Sequence, residues 1–169
     1  MKTRPILSCS LAALALCSCS YHLGGLKPRY MDNMNTFCVE MFENNTVQPS
    51  VGVFMTTAMT NALQGDGTYR LASREEADFV IKGVITHITR DSLTTSTKDS
   101  YVSTQIGVTV HVDYQLINRK TGAAITSGSE SAQASYFNQS GSTISAMESA
   151  LFYASSRVAD EIVLNLTTQ

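Results

Sequence analysis

The sequence is short of charge. Asp, Glu, Lys and Arg make up 15% of its 169 residues, against about 25% in an average globular protein. It has no basic excess either, with a net charge of −2. Nucleic-acid binding needs a positive field to displace counterions, so no nucleic-acid partner is expected. No Gly-x-Ser-x-Gly elbow and no paired-carboxylate cluster occurs, so a hydrolase would have nothing to frame its nucleophile. His111 and Asp113, on one face of a strand, are a weak hint of such chemistry. Cys and His are few and scattered, and none has zinc spacing, so no metal or other cofactor is expected.

What the chain does have begins at its N-terminus. Lys2 and Arg4 precede an almost wholly apolar run from Ile6 to Leu16. That run is about 11 residues long, well short of the ~20 that span a bilayer. A positive start, a short apolar core and small residues after it describe a cleavable export signal over residues 1–18. Leu16-Cys17-Ser18-Cys19 resembles the end of a bacterial lipoprotein signal, in which the last Cys is acylated before cleavage. Cys19 is expected to carry the lipid, because Cys17 would put bulky Leu16 at the cleavage position. Two or three acyl chains, each buried methylene contributing ~0.8 kcal/mol, make a stable membrane anchor. Ser20 after the Cys, in place of Asp, favours the outer membrane. Cys9 and Cys17 leave with the signal, so Cys38 has no partner for an internal disulfide and reads as a buried, inert thiol on a strand.

Residues 19–35 read as a tether, with Gly24-Gly25, Pro28 and Asp32-Asn33 working against regular structure. Residues 36–169 form one domain of ordinary size. Thr36 to Phe42 is rich in strand formers. After Pro49, with Ser50 as N-cap, Val51, Phe54, Met55, Ala58, Met59, Ala62 and Leu63 make one helical face that Gly65-Asp66-Gly67 ends. Tyr69-Arg70-Leu71 and Phe79–Arg90 are strands, followed by a Ser/Thr-rich loop from Ser92 to Ser100. From Val102 to Leu116, Ile106, Val108, Val110, Val112 and Tyr114 share one parity, the mark of a half-buried antiparallel strand. Ala124 to Phe137 is a weaker strand of small side chains. Ser145 and Glu148 have capping-box spacing and open a second amphipathic helix, with Ile144, Met147, Leu151, Ala154, Val158, Ile162 and Leu166 in its apolar stripe. The result is an α+β fold: two helices on one face of a four- to five-stranded, mostly antiparallel sheet.

The register of the long hairpin follows from charge. Pairs summing to an odd number put Phe79, Ile81 and Ile85 with the next strand's apolar row. Lys82 and Arg90 then point away from the helices, with Asp113 near Lys82. Even sums would turn both cations inward, where unpaired charge is costly.

Cys19-Ser20-Tyr21-His22-Leu23 resembles the Cys-Gly-Tyr/Trp-His-Leu start of the lipopolysaccharide-assembly lipoproteins of the LptE family, with Ser20 for the usual Gly. Phe42-Glu43-Asn44-Asn45-Thr46, Tyr69-Arg70-Leu71 and Ala77-Asp78…Gly83 are also similar to that family, and the likeness spans residues 19–166. It implies two helices on a four-stranded sheet, no catalysis, and a plug inside an LptD-like outer-membrane β-barrel that binds lipopolysaccharide. The family motif supplies no binding residues. Lipid phosphates are anionic, so Lys98 in the hairpin loop and Arg90 at the strand end are candidates by position. A different class is a periplasmic lipoprotein that activates peptidoglycan synthesis or forms part of a secretion channel, since such proteins also carry an Ala-Asp-aromatic…Gly strand. The tether argues against an activator that must reach the cell wall: ~17 residues extend at most about 60 Å.

Overall fold

A computed structural model describes residues 27–94, 104–138 and 143–167. Cys19, Lys98 and the export signal lie outside these residues. The elements are β1 (Thr36–Val39), β2 (Glu43–Asn44), α1 (Val51–Asp66), β3 (Arg70–Leu71), β4 (Phe79–Thr94), β5 (Thr104–Asn118), β6 (Ala124–Asn138) and α2 (Thr143–Thr167). The fold is α+β as expected, but the sheet is mixed. Its strands run in the order β3-β1-β4-β5-β6, with β2 also paired to β4.

The mixed direction has a simple cause. Helix α1 carries the chain back past β1, so β3 starts beside β1 and runs parallel to it, Leu71 opposite Phe37. Residues 72–78 then lead the chain round the start of β1. As a result β4 enters on the other flank, also parallel, with Phe79 opposite Phe37. Only the β4–β5 and β5–β6 pairs are antiparallel.

Burial follows the expected periodicities. On α1, Val51, Met55, Ala58, Met59 and Leu63 are buried. On α2, Leu151, Ala154, Val158, Ile162 and Leu166 are buried, whereas Ile144 is 75% exposed. From β5 come Val108, Val110, Val112, Tyr114 and Leu116. Both helices therefore cover one sheet face, and each large apolar side chain so buried contributes ~1.5–3 kcal/mol. Met31, in a short 3-10 turn (Arg29–Met31), is fully buried beneath Tyr69, so part of the presumed tether seals the core. Gly67 ends α1 in the left-handed region, φ 74°. Ser50 does sit at the N-cap, but its side chain makes no capping bond. Helix α2 is already helical at Thr143, which places Ser145 inside the first turn and not at the capping position.

Two local contacts hold β1 and β4 together. Asp78 Oδ2 accepts hydrogen bonds from the backbone N–H groups of Asn35 (2.9 Å) and Thr36 (3.1 Å) and from the Thr36 hydroxyl (3.0 Å). These bonds, the Asn35 N–H first, hold the carboxyl below its ordinary pKa of 3.8. The second contact is Gly83. A Cβ there would lie 2.1 Å from the buried Phe42 ring, so only glycine leaves room for Phe42 to lie across β4.

The hairpin register is odd only in its first half. Phe79 to Ile85 pair with Asn118 to Val112 at odd sums, and Lys82 points away from the helices as expected. A bulge at Thr86 then shifts the register, so that His87 faces His111, Ile88 faces Val110 and Arg90 faces Val108. Directly opposed residues share a face, so Arg90 lies on the helix-bearing face, contrary to the odd-register expectation. The gain is that Ile88 joins the apolar row. Arg90 stays exposed and keeps its hydration.

Two predictions follow from these contacts. Asp78→Ala leaves two backbone donors without their acceptor and is expected to cost ~1–3 kcal/mol in urea unfolding. Because the folded pKa is depressed, this contribution is complete above pH 3.8 and is lost as pH falls through the lower folded value. Asp78→Ala should accordingly flatten the acid limb of the stability curve. Gly83→Ala should overpack the Phe42 contact and cost ~1–3 kcal/mol; an unchanged urea midpoint would show that Phe42 can move aside freely.

Candidate functional site

The sheet face away from the helices is a polar surface built from three strands. On β6 it presents Ser127, Ser129, Ser131, Gln133 and Ser135, opposite Gln115, Asp113, His111, Thr109 and Gly107 of β5. On β4 it continues with Lys82, His87, Thr89 and Asp91. Strand alternation produces this face: the same strands that send valines inward send hydroxyls and amides outward at the alternate positions. Small polar side chains make a flat surface that can hydrogen-bond without holding fixed charge.

Two cations belong to the three long strands, Lys82 and Arg90. Lys82 is engaged by Glu40 at 3.2 Å, and Arg74 reaches the same carboxylate at 3.0 Å. Lys82 and Asp113 line the same shallow hollow, but Asp113 accepts from the Ser129 hydroxyl at 2.6 Å. Arg90 makes no ion pair among the described residues. It stands near the distal end of the hairpin, where Leu93 (45% exposed) and Phe137 (55%) remain uncovered. Phe137 lies opposite Gln105 on the polar face, and Leu93 packs beside Gly107. Sequence reasoning singled out Arg90 but missed these two. The signal was available: Phe137 sits in a row otherwise made of Ser and Gln.

Other features argue against different chemistry. A cleft of about 500 Å³ between the helices is lined by Phe152, Val163 and Leu164 together with Asp66 and Asp160. Two carboxylates and no cation make it unsuited to an anionic headgroup. Among the described residues, no three or more His, Cys, Asp or Glu side chains converge as a metal cluster. His111 and Asp113 do not form a dyad, since Asp113 is held by Ser129 and the His111 ring stacks on His87 at 4.0 Å between centroids. Cys38 lies on β1 as expected, free among the described residues, but it is half-buried where a buried thiol was expected; burial, then nearby Glu40, pushes its thiol pKa up.

Partial burial, then the neighbouring His87, lowers the pKa of His111 from its ordinary 6.5. The unfolded chain therefore takes up a proton at His111 before the folded one does. Stability from this site is complete above pH 6.5 and falls as pH drops through the lower folded value. Replacing His87 with Gln should shrink the loss of urea stability between neutral and mildly acid pH. An unchanged pH dependence would remove His87 as a cause.

The sequence profile of the lipopolysaccharide-assembly family LptE matches residues 34–166. No curated protein matches the chain. Among solved structures, a candidate lipoprotein from Caulobacter crescentus CB15 is similar at 17% identity and a TM-score of 0.53, over 76% of this chain and 89% of its own. A minor lipoprotein from Acinetobacter baumannii is similar at 16% identity and a TM-score of 0.52, over 80% and 92%. A hypothetical protein from Chlamydia trachomatis gives a TM-score of 0.55 at 9% identity, over 79% and 96%. At these identities the likeness is one of fold.

Proposed function

Since the chain belongs to the lipopolysaccharide-assembly family LptE, we propose that it is an outer-membrane lipoprotein, anchored on the periplasmic side by acylated Cys19. There it plugs an LptD-like β-barrel and assists the delivery of lipopolysaccharide to the cell surface. The observation that carries this reading is the family match, which spans β1 to the last turn of α2. Physical features support it. The open face is wide and made mostly of uncharged polar side chains, with Lys82, Asp91 and Asp113 as its charges, as suits a surface buried against another protein's polar wall. Near the distal end, exposed apolar side chains on the open face and, on the opposite face, a cation without an ion-pair partner among the described residues complement the acyl chains and the phosphates of an anionic lipid. We assign Arg90, with Lys98 of the adjoining loop, as the groups that meet its phosphates. The role is one of binding and assembly, without turnover.

The test is lipopolysaccharide binding to the detergent-solubilised full chain. Arg90→Glu and Lys98→Glu are each expected to weaken it about tenfold, the size of one charge-assisted hydrogen bond. Arg90 is exposed, so thermal unfolding of Arg90→Glu should not change. Binding untouched by either reversal would refute these two residues. Absence of binding by the unaltered chain would refute the lipid-binding part of the reading.

A further inference from the structure

The bulge at Thr86 does more than admit Ile88 to the core. Without it, His87 would fall in the inward row of Ile81 and Ile85. The extra residue turns His87 outward, directly opposite His111 on the neighbouring strand. Bulges characteristically re-aim a side chain in this way. The two imidazoles, 24 positions apart in sequence, then lie nearly parallel, 11° between planes and 4.0 Å between centroids.

Thr86, the bulged residue, also anchors one ring. Its hydroxyl reaches the His111 carbonyl at 3.3 Å. Its oxygen lies 3.1 Å from His87 Nδ1, within hydrogen-bond reach in either tautomer. The tautomer in which Nδ1–H donates to Oγ1 leaves the Nε2 lone pair open. A metal-binding histidine is held in this way, one nitrogen anchored by a hydrogen bond and the other available.

We propose that His87 and His111 form a two-imidazole site for a borderline divalent ion of the Ni2+, Cu2+ and Zn2+ class on the open sheet face. Imidazole nitrogens bind such ions at ~2.0–2.1 Å along their in-plane lone pairs, so the stacked rings share one ion by tilting until two nitrogens stand about 3 Å apart at neighbouring coordination positions. Hard ions such as Mg2+ and Ca2+ need oxygen ligands. Asp113 and Glu130 line the same hollow as the two rings, and each already accepts a hydrogen bond, from Ser129 and from Asn165. Water completes the coordination sphere, since no third His, Cys, Asp or Glu joins the pair among the described residues.

The experiment is a Ni2+ titration of the full chain in detergent micelles, followed by paramagnetic broadening of the His87 and His111 ring C–H signals. Both rings are expected to broaden at one midpoint. His111→Ala should raise the His87 midpoint at least tenfold, and His87→Ala should do the same for His111. Neither ring lies in the core, so folding of each variant can be confirmed by its unchanged Val108 and Val110 methyl signals. Rings that broaden at separate midpoints, or a shift of less than tenfold, overturn the proposal.

Discussion

The structure depends on where one strand changes parity. β4 joins both halves of the sheet: β1 and β2 run parallel along one side of it, and β5 runs antiparallel along the other. A strand can bury only alternate residues, yet β4 must bury Ile81 and Ile85 and also bring Ile88 toward the core. No single parity satisfies all three. The bulge at Thr86 resolves the conflict, and the outward rows of His87, Thr89 and Asp91 follow from it. So does the location of Arg90 on the helix-bearing face.

The proximal half is constrained differently. There the parallel strands are short, so β1 depends on contacts beyond its own ladder. Asp78 collects the first N–H groups of β1, the Thr56 hydroxyl on α1 accepts the Phe42 N–H at 3.0 Å, and Gly83 lets Phe42 lie flat on β4. Each contact joins residues far apart in sequence, and together they position β1 beneath α1. This leaves the long β4–β5–β6 portion as a polar-faced extension.

Much of this was legible in the chain itself. The strict alternation of β5 from Ile106 to Leu116 gave its buried face, and the spacing of Val51, Met55, Met59 and Leu63 gave the packed side of α1. Gly67 marked the end of α1 because a left-handed residue was needed there. The bulge was not legible: Thr86-His87-Ile88-Thr89-Arg90 reads equally well in either parity, and only the demand of Ile88 for burial decides. Strand direction was also hidden, since a two-residue β3 carries almost no pattern of its own. Met31 was missed because Pro and Asn around it signal a turn, and a turn can still bury one side chain. For the site, position pointed to Arg90, whereas the pairing of His87 with His111 depends on the bulge and so could not be read from spacing.

The family assignment and the weakly charged open face meet in one proposal, that the chain works inside a larger outer-membrane assembly. The most direct measurement is a mild-detergent pull-down of the tagged full-length chain from its native membrane, with mass spectrometry of what comes with it. The account predicts a stoichiometric large outer-membrane β-barrel. A peptidoglycan synthase or a secretion pore in its place, or the chain alone, would contradict it.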